Sequence, residues 1–164
     1  MVVSKRGVAD ALDRKVDAMI EDNGYAVVSV LGSGGPSFAD GFAYTVGLTR
    51  LGLPELAIAG LPPRVGPMSL ACAADWLRSS GPVGDGHVSM AVFAGVPAVF
   101  RKMSVAGRNR LLACVRRYGS FEAMIVCYPD VRGTFPWESG CDPLLAEATL
   151  SFGALSAPQI LETA

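Results

Sequence analysis

Helical and strand periodicities follow one another along this chain in an irregular order, and that order limits its fold more than any other feature. Ala9, Leu12, Val16, Met19 and Ile20 recur at helical spacing and predict a helix over residues 4–22. Asn23-Gly24 stops it, because both residues tolerate the left-handed conformation of a helix end. The Val-rich run 25–31 reads as a strand apolar on both faces, hence central or covered on both sides. Runs 42–48 and 55–59 read as two further strands. Pro62-Pro63 and Pro67 punctuate the entry to a helix over 66–79, which Gly81-Pro82 ends. Runs 87–93 and 96–102 form a hairpin around Ala94-Gly95. A third helix is expected over 104–118 with Ser104 as N-cap, then a strand over 123–128. Beyond Cys141 the expectation is a short strand near 149–152 and a helical turn from Ala157. Helices do not alternate regularly with strands. The order predicts one α+β domain over 1–164, with a mixed, largely antiparallel sheet flanked by about three helices; barrel-like closure is one form it can take.

A chain of 164 residues with 51% hydrophobic content can bury a real core. Its formal net charge of −1 lacks the basic excess of a nucleic-acid binder, so nucleic acid is not expected as a partner. Arg101, Lys102, Arg108, Arg110, Arg116 and Arg117 nevertheless fall in one stretch without an acid, as a solvated helix face or a patch for phosphate or an acidic partner. Apolar stretches are too short to span a bilayer, and Asp10, Asp13 and Asp17 follow Lys5 and Arg6 where a signal peptide would place its apolar core. A cytoplasmic protein without a membrane partner is expected. Cys72, Cys114, Cys127 and Cys141 are widely spaced and His87 is the sole histidine, a poor zinc set; free thiols behaving as small hydrophobes in a reducing compartment are expected.

Two segments mix aromatics, Gly, Pro and carboxylates beyond what periodicity requires. The first is Tyr44-Thr45-Val46-Gly47-Leu48, with Pro54-Glu55-Leu56 and Gly60-Leu61 after it. The second runs from Pro129-Asp130 through Gly133 to Phe135-Pro136-Trp137-Glu138. Tyr44 and Thr45 alternate on a strand, so each points to a different face. Gly47 suggests a bulge or the close approach of another backbone or a ligand. Glu55 lines a pocket or bonds a loop backbone. Asp130 and Gly133 hold the first and fourth places of a type I turn, with Asp130 accepting from its own backbone. Phe135-Pro136-Trp137 is an extended apolar plug or, with Tyr44, an aromatic wall for a planar ligand anchored by Glu55, Asp130 or Glu138.

In combination these segments resemble a bacterial family of unknown function, also found in actinobacterial and phage genomes, with a YT-x-GL, PEL, D-x-x-G-x-FPW arrangement. The resemblance spans residues 23–140 and implies a shared fold; it carries no activity or cofactor with it.

No catalytic motif is complete. Gly32-Ser33-Gly34-Gly35-Pro36 fails both phosphate-loop patterns, and Gly35-Pro36-Ser37-Phe38-Ala39 lacks the last glycine of a nucleophile elbow. His87 at a strand start reads as a turn histidine. The leading expectation is a non-catalytic binding or protein-interaction domain for an unidentified protein or small molecule. Its tentative ligand residues are Tyr44, Thr45, Glu55, Asp130, Phe135 and Trp137, and a homo-oligomer is left open. The alternatives are a flavin- or other small-cofactor-binding, split-barrel-like protein and a hydrolase using paired carboxylates.

Overall fold

A computed structural model describes residues 5–32, 41–153 and 157. The phosphate-loop and elbow patterns therefore lie outside the described residues except for Gly32, as does the turn beyond Ala157. Five α-helices and six strands follow in the order α1 (Lys5–Asn23), β1 (Ala26–Val30), β2 (Phe42–Val46), β3 (Glu55–Ala59), α2 (Val65–Ser80), β4 (His87–Phe93), β5 (Val96–Lys102), α3 (Val105–Arg108), α4 (Leu112–Tyr118), β6 (Ala123–Cys127) and α5 (Pro143–Leu150). A 3₁₀ turn, Leu48–Leu51, joins β2 to β3.

The six strands form one mixed sheet in the order β1-β2-β3-β6-β5-β4. Only β3 and β6 run parallel, with Glu55 beside Ala123; every other neighbouring pair is antiparallel. This is the expected α+β architecture. Among the described residues the sheet is not closed: β1 and β4 are its edges, which is not the split-barrel frame on which the flavin reading stood.

Strand alternation sends side chains to two apolar layers. Tyr44, Val46, Ala57, Ile125 and Cys127 meet Val16 and Ile20 of α1, Cys114 of α4 and Phe152 on one face. Leu56, Ile58, Phe100 and Val126 meet Leu70, Ala74 and Leu77 of α2 on the other. Strands β3 and β6 are buried along their whole length because they lie at the centre of a sheet covered on both sides.

The run 25–31 is the covered alternative, not the central one: β1 is an edge strand with α1 and α2 on its two faces. Three local expectations need correction. The predicted third helix is broken into α3 and α4, with Leu111 at a non-helical φ of −84° and ψ of 71° between them. Ser104 does cap α3, accepting from Gly107 N at 3.0 Å. Gly107 must be bare, since a Cβ there would stand 2.5 Å from the Phe152 carbonyl oxygen. The expected strand at 149–152 is the end of α5 and the turn after it; the start of α5 carries a signal that apolar periodicity overlooks: Asp142 accepts from Leu144 N at 2.9 Å and Pro143 fills the first turn. Finally, Phe135-Pro136-Trp137 is not extended; Glu138 N donates to the Phe135 carbonyl at 2.9 Å and closes a turn.

Candidate functional site

The first motif is a single hydrogen-bonded unit. Strand β2 ends at Val46, and the chain must return as β3 beside it. Gly47 makes the reversal at φ 121°, packed so closely on β1's approach that a Cβ would lie 3.0 Å from both Gly24 O and Tyr25 Cα. Gly52, at φ 74°, closes the 3₁₀ turn in the left-handed region. The loop then needs acceptors for its inward amides, and Glu55 supplies them. Its Oε1 accepts from Gly47 N, Thr49 N and Thr49 Oγ1, each at 2.9 Å. Its Oε2 accepts from Thr45 Oγ1 at 2.6 Å, and that hydroxyl accepts in turn from Leu56 N at 2.9 Å. Thr45 and Glu55 are wholly buried.

Burial raises the Glu55 carboxyl above its ordinary value, while the donors from Thr45, Thr49 and Gly47 pull it back down. A carboxyl raised in the fold stabilises most below its unfolded pKa and loses that contribution as pH rises through its folded pKa. Glu55→Gln keeps an acceptor for the loop amides and does not ionise. The stability deficit of Glu55→Gln relative to the wild type is therefore expected to shrink as pH rises above the ordinary glutamate range, measured by denaturant unfolding at each pH; a deficit that grows with pH would contradict the assignment.

Tyr44 points to the opposite face from Thr45. Its hydroxyl accepts from Ala113 N at 3.1 Å, so it satisfies one of the orphan amides that open α4. Cys114 Sγ donates to the Thr45 carbonyl at 3.2 Å, and its thiol is pushed up by burial. Both groups tie α4 to β2.

The second motif begins at the far end of β6. The Gly133 amide donates to the Asp130 carbonyl at 2.9 Å, forming the expected turn. Asp130 Oδ1 accepts from Arg132 N at 2.9 Å and Thr134 N at 3.0 Å, and Oδ2 from Asp142 N at 2.9 Å. These amides hold its carboxyl below the usual range. Glu138 Oε2 accepts from Phe135 N at 2.7 Å. Phe135 and Trp137 stack with centroids 5.0 Å apart and planes 9° apart, and the Arg101 guanidinium lies 5.1 Å over Trp137. Asp85 fixes Arg101 through Nε at 3.1 Å.

The tentative residues thus separate into two groups. Tyr44, Thr45 and Glu55 share the β2–β3 unit; Asp130, Phe135 and Trp137 share the loop after β6. Glu55 pairs with Ala123 at the start of β6, whereas Asp130 lies beyond its far end at Cys127, at least about 13 Å along the strand. That spacing is too wide for a shared two-carboxylate reaction. Tyr44's ring meets Phe42 at 6.0 Å, while Phe135 and Trp137 meet each other. The basic stretch is largely internal: Arg116 pairs with Asp13 at 3.0 Å and Arg117 with Asp17 at 2.6 Å, locking α4 to α1. His87 is exposed beside Trp76, at 5.5 Å between rings.

One hollow, of about 600 Å³, lies beside the β2–β3 unit among Thr49, Leu53, Pro54, Asp85, Lys102 and Glu122; an apolar one lies elsewhere. A groove of about 310 Å³ runs between the end of β1, the start of β2 and the first turn of α2, walled by Val30, Phe42, Ile58, Leu61 and Pro62, with Ser29 at its rim. No ionisable side chain lines it among the described residues. Exposed Leu31 continues its apolar rim, and α2 leaves Val65 and Met68 exposed in the same turns. In the sequence Pro62-Pro63 reads only as punctuation for α2. Nothing in the local pattern reveals that three separate segments converge there. Among the described residues no group of His, Cys, Asp and Glu is placed to hold a metal, and no helix is long and apolar enough to cross a membrane.

An open α+β sheet whose polar motifs knit its loops, with an apolar groove at one end, defines a structural class rather than a reaction. The chain belongs to the family described as domain of unknown function (DUF4262), whose profile matches residues 19–142. No curated protein and no solved structure matches it.

Proposed function

We propose that this chain is a non-catalytic binding domain whose groove between β1, β2 and α2 takes an uncharged, apolar small molecule. One observation carries the reading: the motif carboxylates Glu55, Asp130 and Glu138 are bonded to loop amides, whereas the groove presents open apolar surface. A volume of about 310 Å³ falls at the small end of ligand sites. The free thiols of Cys72, Cys114, Cys127 and Cys141 suit a reducing compartment, so the reading includes a cytoplasmic setting.

Nile red, an uncharged dye that brightens in apolar surroundings, is a direct probe. Saturable binding at one site is expected. Ser29 shares the α2-facing side of β1 with Val27, so Ser29→Trp fills the groove and should weaken binding at least about tenfold. Unsaturable binding, or binding indifferent to Ser29→Trp, would overturn the groove. Turnover in a substrate screen that Glu55→Gln abolishes would overturn the non-catalytic reading.

A further inference from the structure

The edge of β1 is a strand-pairing surface, and we propose that it pairs with β1 of a second copy of this chain, antiparallel, across a two-fold axis near Val28. The direction of its backbone groups follows from the ladder. Gly60 N donates to the Gly41 carbonyl at 3.4 Å, and Leu56 N donates toward β2 at Thr45 Oγ1, 2.9 Å away. The odd-numbered residues of β2 therefore face β3, and Phe42, Tyr44 and Val46 bond to their partners Val30, Val28 and Ala26. This leaves the N–H and C=O groups of Val27 and Ser29 pointing away from the sheet, with no strand beyond them among the described residues.

Natural sheets protect such edges with charges, prolines or bulges. The other edge, β4, has one: its register against β5 shifts between Ser89 and Phe93. β1 has none. From Tyr25 to Gly32 there is no Asp, Glu, Lys, Arg or Pro, and its register with β2 is unbroken.

A second copy is the occupant this chemistry fits. Two identical charged strands would repel at their own two-fold, but this strand meets itself without like charges. Pairing about Val28 sets Val27 against Ser29 of the second copy and Ala26 against Val30. Both alternations are kept, so the α1-covered faces of both sheets fall on one side. It also covers Val30 and Leu31, exposed at 37% and 71%. A ladder this short buries less than the roughly 800 Å² per partner of a stable standard interface, so the dimer is a weak, reversible one. This surface uses the backbone of Ser29, not the side chain that faces the groove, and shares Val30 and Leu31 with the groove's rim.

Sedimentation of the full chain over a concentration series tests it. The wild type should pass from monomer to dimer, and Ser29→Pro, which deletes an outward N–H without touching the β2 ladder, should remain monomeric. A wild type monomeric at every concentration, or a Ser29→Pro variant that still dimerises, would overturn the proposal. If Ser29→Pro fails to fold, hydrogen exchange on the wild type decides instead. The Val27 and Ser29 amides should slow markedly as concentration rises, and rates independent of concentration would refute the interface.

Discussion

Glu55→Ala is expected to remove about 4 kcal/mol of folding stability, the sum of several buried donors each left without an acceptor at about 1–3 kcal/mol. Gly47 N, Thr49 N, Thr49 Oγ1 and Thr45 Oγ1 all lose their partner at once. Gly47 and Thr45 are buried, so water does not replace it there; Thr49 is half-buried, and its amide recovers part of the loss. A loss of that size is a large share of the 5–15 kcal/mol typical of a domain. Denaturant unfolding measures it. A loss under about 1 kcal/mol would mean that the carboxylate is not the organising group of the β2–β3 connection.

Gly47→Ala should be of similar size, about 3–5 kcal/mol, from two costs that add at one position. The first is conformational: φ of 121° is a region that side chains rarely adopt. The second is steric, because the neighbours at 3.0 Å are the backbone of Gly24 and Tyr25, which cannot rotate aside. Displacing them moves the turn between α1 and β1 and takes the Gly47 N–H away from Glu55. Thermal unfolding should show a drop in Tm of at least about 10 °C. Little change would show that this crossing has slack.

What was legible in the sequence depended on the range of the interactions. Strand runs were read closely because alternation and Val content are local: β3, β4 and β5 fall where periodicity places them. The Asp130 turn was legible for the same reason, since its Asp and Gly are three residues apart. The roles of Tyr44 and Glu55 were not, because each is decided by a partner from another segment: Ala113, sixty-nine residues on, for Tyr44's hydroxyl, and the loop amides for Glu55. Pro54 before Glu55 hinted at a strand mouth but not at which side the carboxylate would turn. The break between α3 and α4 was hidden because Leu111, Leu112 and Val115 keep helical spacing across it; Gly107 was its only local signal. The edge position of β1 could not be read, since apolar residues on both faces describe a strand covered by helices on each side as well as a central one.

On the proposed reading the motif builds the fold and binding belongs to the groove at the opposite end of β3. Nile red titration of folded Glu55→Gln against the wild type tests it most directly. The account predicts affinities within about twofold of each other, because Glu55 touches only the β2–β3 loop and strand ends while the groove lies on the α2 face. Loss of binding in Glu55→Gln with the fold intact would contradict it and return the carboxylate to the centre of the site.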